Sequence, residues 1–382
     1  MKCTSEILLS KSALKANLDL VRNLYCNQTR ISSVVKANAY GHGISTYVPM
    51  AEDLGIDHFA VFSYDEALEV LEAVKKADIM IMGWVDDDCL KDVIKKGIEF
   101  FVFEMQRLEQ TIEFAKELNI KAKIHLEVET GMNRSGIPRR SIQKAIKLIR
   151  ENQDFIEFTG LCSHLAGPES IANYVRIKNQ LKSFYKIYHK FTNAELVPEY
   201  QHIANSAALI TLPRARMNMV RLGITQYGFW PSKEVFISYA RTHDENIEPL
   251  KRVITWKTKI MSVKKVKAGE FVGYGTSYLA SNDMTIGLIP VGYSHAFSRG
   301  LSNRGRVIVH GRRCSVVGMV NMNETTIDLS NVENVKLGDE VILIGKQGDV
   351  TVSVSSFSDQ SDQLNYEFLS QLPKSITRKI IE

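Results

Sequence analysis

Lys36 is the residue that most invites chemistry, set in Val34-Val35-Lys36-Ala37-Asn38-Ala39-Tyr40-Gly41-His42-Gly43. Residues 33–37 read as a short β-branched strand and 38–43 as the loop leaving it. An amine at the end of an apolar strand is poorly solvated. That lowers its pKa and makes it a nucleophile able to form a Schiff base with a carbonyl group. An ordinary strand lysine snorkels its ammonium to water instead, so Lys36 needs company to be functional. In Gln201-His202-Ile203-Ala204-Asn205-Ser206-Ala207-Ala208, small residues and a hydroxyl at a helix start suit an anion, although a plain serine cap has the same look. Gly223, two residues after Arg221, lets backbone approach a ligand closely. His164 stands alone in Ser163-His164-Leu165-Ala166, where a histidine is more often structural than catalytic. Tyr274 lies between Gly273 and Gly275. A phenol of ordinary pKa ~10 is a poor base unless neighbouring cations lower it.

These residues need elements to hold them. Residues 6–10 read as a strand, and Ser12 caps an amphipathic helix with Leu14, Leu18, Val21 and Leu24 on one side. With the lysine strand, runs at 59–62, 79–82, 101–103, 124–128, 158–162, 201–204 and 219–222 give eight short apolar strands. Helical patterns at 65–75, 106–118 and 141–150 alternate with them. This alternation predicts a parallel sheet with right-handed crossovers, closed as a (β/α)8 TIM barrel in the α/β class. Lys36, Arg134, His164, Asn205, Ser206, Arg221 and Gly223 all fall at the C-terminal ends of those strands, where such barrels carry function. From about Arg252 the texture changes to short alternating strands at 253–263, 271–274, 285–290, 306–309, 314–317, 325–328, 340–344 and 350–354, with one helix near 358–370. The division expected is a barrel over 11–240 and a mainly β domain over 241–382, with strand 1–10 packing on the latter and a linker at 238–249.

The chain has 382 residues, 45% hydrophobic and 24% charged, with a net charge of +5. That is ordinary for a soluble globular protein. No basic run with interleaved aromatics points to nucleic acid. No apolar run approaches the ~20 residues that span a bilayer. The five cysteines are scattered, with no Cys-x-x-Cys. This argues against disulfides or a zinc site and fits a cytoplasmic protein.

The decapeptide 34–43 closely resembles the cofactor-lysine motif of the alanine racemase family, whose enzymes use pyridoxal 5'-phosphate. Matching stretches follow in order along nearly the whole chain, to Tyr366-Glu367-Phe368-Leu369. The resemblance implies that Lys36 carries the cofactor and acts as one base, and that the Tyr40 hydroxyl reaches its phosphate. Asn205, Ser206, Gly223 and Ile224 complete the cofactor site, and Arg221 faces the pyridine nitrogen. His164 would link Arg221 to the second base, Tyr274, which reaches the barrel of a partner subunit. Arg134 and the Met322 backbone meet the substrate carboxylate, and Tyr293 lines the entrance. Racemisation needs acid–base groups on opposite faces of a planar carbanion, so Lys36 and Tyr274 would form that pair in a homodimer with shared sites. The substrate is a small amino acid, L-alanine and D-alanine by default, supplying D-alanine for peptidoglycan in a bacterial source.

The chain also departs from the family pattern. Glu127 stands where many members have a carbamylated lysine, so its carboxylate is expected to supply that charge and orient Arg134, by direct contact or, its stem being shorter, through a water or anion. Asn321 and Asn323 replace the common Cys and Asp, and Lys374 aligns with a phosphate-binding tyrosine of some members. These changes bear on substrate choice, with serine or lysine as alternatives to alanine. A barrel-type lyase or decarboxylase, or a cofactor-binding protein without turnover, would share the lysine. Neither would need the Lys36/Tyr274 pair.

Overall fold

The structure is a computed structural model, and it describes residues 4–26, 28–241, 243, 248–354 and 365–382. A first strand, β1 (Ser5–Ser10), precedes the helix Lys11–Tyr25, which buries Leu14, Leu18 and Val21. Eight parallel strands follow: β2 (Arg30–Val34), β3 (His58–Val61), β4 (Asp78–Ile81), β5 (Glu99–Val102), β6 (Ala122–Glu127), β7 (Ile156–Cys162), β8 (Tyr200–His202) and β9 (Met219–Leu222). Their order is β8-β7-β6-β5-β4-β3-β2-β9. A backbone bond from Arg221 N to Ala204 O, 3.0 Å, spans the remaining gap between the last two. This is a nearly closed TIM barrel. β3 and β5 are buried at every position, as expected of strands with a core on one face and helices on the other. Helix starts follow local chemistry: Ser63 accepts from Glu66 N and Asp86 from Asp88 N, satisfying donors that have no partner within the helix.

The eight expected barrel strands all form, with shifted ends. The lysine run stops as a strand at Val34, and Lys36 opens the next turn. Val35 still donates to Ala60 O at 2.9 Å.

The remaining strands are β10 (Ile254–Lys259), β11 (Ser262–Val266), β12 (Met284–Ile289), β13 (Arg306–Val309), β14 (Arg312–Ser315), β15 (Thr325–Asp328), β16 (Glu340–Gln347), β17 (Val350–Val352) and β18 (Thr377–Ile381). One sheet runs β14-β13-β16-β10-β1-β18 with β17 on β16, and a second runs β11-β12-β15. The run 253–263 is therefore two strands in different sheets. Residues 271–274 form no strand, only a bridge from Phe271 to Leu279, because Gly273 and Gly275 turn the chain with φ of 75° and 66°. Part of the expected linker is helical, since the helix Lys233–Ala240 includes residues 238–240. Residues 242 and 244–247 lie outside the described residues, as do 355–364 of the expected terminal helix, which is seen as Asn365–Gln371. The chain divides into two compact units, one of residues 1–12, 38–47 and 252–382, the other of 13–37 and 48–251.

Candidate active site

Lys36–Tyr40 makes one helical turn of the wrong hand. Asn38, Ala39 and Tyr40 have φ of 51°, 53° and 49°, a conformation costing roughly 1–2 kcal/mol per L-residue. Consecutive residues of this kind persist only where their surroundings over-determine them, typically at functional sites. Gly43 N donates to Asn38 O and His42 N to Ala39 O, both at 2.9 Å, while the Asn38 side chain accepts from Ile44 N at 3.1 Å. Gly41 continues the turn at φ 73°, and a Cβ there would lie 2.0 Å from Leu369 O. The Tyr40 phenol is pushed up to about 12 by burial, so it stays a neutral donor. Its ring lies 6.0 Å from that of Tyr366.

Lys36 itself is held within the barrel unit. Tyr227 and Gln226 donate to Val34 O at 2.9 and 3.2 Å, fixing the end of β2. Burial lowers the Lys36 pKa, with Arg134 and Arg221 adding to the effect and Glu66 opposing it. Its Nζ lies 5.6 Å over the Phe62 ring. An ammonium depressed in this way releases its proton more readily, as a nucleophile or base requires.

Arg221 is buried near the end of β9. It donates to His202 Nδ1, to His202 O at 3.0 Å and to Ser163 O at 2.9 Å. His164 is not its hydrogen-bond partner, contrary to the expected chain. Burial first, then Arg221, Arg134 and Lys36, push the His164 imidazole down to about 3. It is therefore neutral at pH 7 and cannot join the cationic network expected of it; the arginines carry that charge. Gln180 positions the loop, donating to His164 O at 2.9 Å and accepting from Ala166 N at 2.8 Å.

After β8, Asn205 caps a short helix by accepting from Ala208 N at 3.0 Å. The Ser206 hydroxyl accepts from Gly223 N at 2.9 Å and Thr225 N at 3.5 Å, joining the turns after β8 and β9. Ile224 begins a 3-10 turn capped by Gly223. The Thr225 hydroxyl is buried there without a hydrogen-bond partner among the described residues. A hydroxyl left dry is costly, and an anionic oxygen in this cradle of hydroxyls and N–H groups would satisfy it. The donor set fits a phosphate.

Burial raises the Glu127 pKa against the pull of Ser135, Arg221 and Arg134. Among the described residues Arg134 makes no ion pair within 4.0 Å, so of the two expected arrangements the direct Glu127–Arg134 bridge is not formed. Arg134 is exposed, on a loop folded by Glu129, which accepts from Gly131 N and from Asn133 N at 2.8 Å.

In the β unit, Tyr274, Tyr293 and Met322 line one open pocket of about 440 Å³ with Asn321, Asn323 and Arg299. Tyr274 tops its glycine-flanked loop and is 75% exposed. Tyr293 N donates to Asn321 O and Ser294 N to Met322 O. The Asn323 amide oxygen accepts from Ser294 Oγ at 2.7 Å, so the amide in place of an acid is built into this wall. Lys374 offers its carbonyl to Arg378.

Several barrel residues escaped sequence reasoning: Gln180, Thr225, and the buried His58, Glu99, His125 and His202. Ionisable residues inside otherwise apolar strands were the available signal for the last four.

Residues 9–231 match the family model for the alanine racemase N-terminal domain and 253–380 that for the C-terminal domain. The chain is 31% identical to alanine racemase 1 of Caldanaerobacter subterraneus, over 96% of this chain and 92% of that protein. It is 32% identical to alanine racemase of Methanococcus maripaludis, over 96% of each. The solved alanine racemase of Clostridium difficile 630 superposes with a TM-score of 0.90 at 28% identity, covering 100% of this chain and 96% of that one.

Proposed function

This chain belongs to the alanine racemase family, and on that premise we propose that it interconverts L-alanine and D-alanine with pyridoxal 5'-phosphate, as a cytoplasmic homodimer. The observation that carries the reading is the half-buried, pKa-depressed Lys36 set at the barrel's strand ends with Arg221 and an anion cradle. Lys36 would hold the cofactor covalently. Ser206, the Gly223 and Ile224 turn and Thr225 would hold its phosphate, with Asn205 shaping the loop and Tyr40 donating from its own turn. When bound, the cofactor supplies an electron sink that acidifies the α-proton of an amino acid.

The chain's own residues do the rest. Arg221 donates but does not accept a proton, so it would leave the cofactor's ring nitrogen unprotonated, and the sink supplied would be weaker and less open to side reactions such as transamination. Arg134 and the Met322 N–H, which has no acceptor among the described residues, suit the two oxygens of a substrate carboxylate. Lys36 takes the α-proton on one face and Tyr274 of a second copy delivers one on the other; the reverse reaction exchanges these roles. The high exposure of Tyr274 suits a side chain presented to another subunit. Tyr293 borders the entrance.

The test is α-proton exchange by NMR in D2O with cofactor-loaded protein and a panel of L-amino acids, with product chirality read alongside. Exchange of alanine giving both enantiomers is the expected result. Exchange confined to serine or lysine would overturn the alanine assignment, and none with any amino acid would overturn the reading altogether.

A further inference from the structure

A single line of hydrogen bonds runs up the barrel interior. Ser32 Oγ meets His58 Nδ1 at 2.9 Å, and His58 Nε2 meets Glu99 Oε2 at 3.0 Å. The same carboxylate oxygen takes His125 Nε2 at 2.7 Å, and His125 Nδ1 meets His202 Nε2 at 2.8 Å. His202 Nδ1 then meets the Arg221 guanidinium. Every side chain in the line is at most 5% exposed. Glu99 and His58 begin their strands, whereas Arg221 nearly ends β9, so the line rises from the floor of the barrel to its functional end.

The proton positions follow from chemistry alone. A guanidinium only donates, so His202 Nδ1 must accept and His202 Nε2 must carry its hydrogen. That hydrogen points at His125 Nδ1, which leaves the His125 hydrogen on Nε2, aimed at Glu99. A carboxylate accepts both imidazole N–H groups, and the Ser32 hydroxyl can either donate to or accept from His58 Nδ1. Between Glu99 and Arg221 one assignment satisfies every member, with His125 and His202 neutral, the negative charge of Glu99 before them and the positive charge of Arg221 after them. Hydrogen bonds in such a chain polarise one another.

The backbone makes room for the line. The β6–β7 register shifts between Ile124 and His125, and Gly160 faces the ring, where a Cβ would fall 2.0 Å from His125 Nδ1. Phe101 lies beside His125, His202 and Arg221, with centroid distances of 6.1, 5.8 and 6.0 Å.

We propose that Glu99 is a positioning residue for the reaction at the far end of the barrel. Through His125 and His202 it keeps a bare nitrogen facing Arg221, which anchors the guanidinium and fixes its aim. A neutral amide at position 99 removes this direction. Its NH2 can donate to His125 Nε2, which reverses both tautomers and sets the His202 Nδ1–H against the Arg221 N–H. The link to catalysis rests on the racemase reading; the link to tautomers does not.

The test uses the full chain with 15N-labelled histidine rings. In wild type, His125 and His202 should both be single Nε2–H tautomers. Glu99→Gln should give mixed or reversed tautomers at both and lower kcat for racemisation by about ten- to a hundredfold, the usual range for supporting-shell losses, with KM less affected. Glu99→Asp should recover part of both. Ser32→Ala, on the other branch of Glu99, should leave those tautomers and kcat as in wild type. An Nδ1–H tautomer at His202 in wild type would overturn the proposal even if E99Q does not fold. So would wild-type tautomers in folded E99Q, or a loss in S32A equal to that in E99Q. Should the wild type show the predicted tautomers and no racemisation, the racemase reading fails and the directed relay stands.

Discussion

The wrong-handed turn at Lys36–Tyr40 gives a quantitative test through Gly41. Gly41→Ala adds one methyl group at φ 73°, and that methyl would meet Leu369 O at 2.0 Å and the Leu372 Cβ at 3.2 Å. Two costs add. The left-handed backbone penalises any L-residue by roughly 1–2 kcal/mol. The clash is with backbone of the helix Asn365–Gln371, so no side chain can rotate away, and about 1 Å of movement costs roughly 1–3 kcal/mol more by analogy with overpacked cores. Gly269→Ala separates the two, because Gly269 has φ 87° and nothing within 4 Å of its missing Cβ. It shares the first cost and escapes the second. With urea slopes of about 1–3 kcal/mol per M, Gly41→Ala should lower the unfolding midpoint of its unit by roughly 0.5–1.5 M beyond Gly269→Ala. Because the turn bears Lys36 and Tyr40, it should also retain pyridoxal phosphate poorly on gel filtration, which the control should not. Equal midpoints for the two variants would refute the idea that packing against Leu369 holds the turn.

Tyr274→Phe should lower racemisation by about 10²–10⁴-fold, the usual contribution of a general acid–base group, while Lys36 still exchanges the α-proton of one enantiomer with D2O; loss of exchange from both enantiomers would refute the two-base assignment. Stability should also depend on pH through buried histidines. Burial pushes His42 and His164 down to about 4 and about 3, so the unfolded chain, with values near ~6.5, binds protons that the folded chain refuses. Their contribution is complete above that value and is lost as pH falls through the folded values. Tm should therefore begin to drop between about pH 6.5 and 5, before most carboxylates titrate, and a flat Tm over that window would contradict the assignment.

The barrel was legible because parallel strands buried on both faces leave unbroken apolar runs, such as Phe59-Ala60-Val61, between amphipathic helices. Strand ends were less legible. Val35 and Lys36 look like strand, yet the left-handed turn captures the lysine, and handedness leaves no mark in periodicity. The loop at Tyr274 was misread as strand for a related reason: its glycines set the local path more strongly than its aromatics. For the site, individual residues were easier to find than their partners. Arg221 stood out, but its bond to His202 rather than His164 depends on rotamers across three strands. Glu99, 122 residues from Arg221 in sequence, joins it only through two intervening rings. β18 was missed because Thr377–Ile381 lacks alternation and sits at a sheet edge, with only its Glu6–Ser10 side paired.

The pairing of β1 with both β10 and β18 has a consequence for how this protein is made. Glu6 is in register with Thr377, so β1 must wait during synthesis for a partner strand made much later in the chain. At about 5–20 residues per second, that wait is roughly 20–70 s. During it β1 carries an unpaired edge and the apolar Ile7, Leu8 and Leu9, the kind of edge that templates association between chains. The barrel, whose strands all lie between residues 30 and 222, can close well before that. Synthesis thus leaves β1 sticky until residues 377–381 follow it, and a chaperone that covers short apolar segments would find its target there.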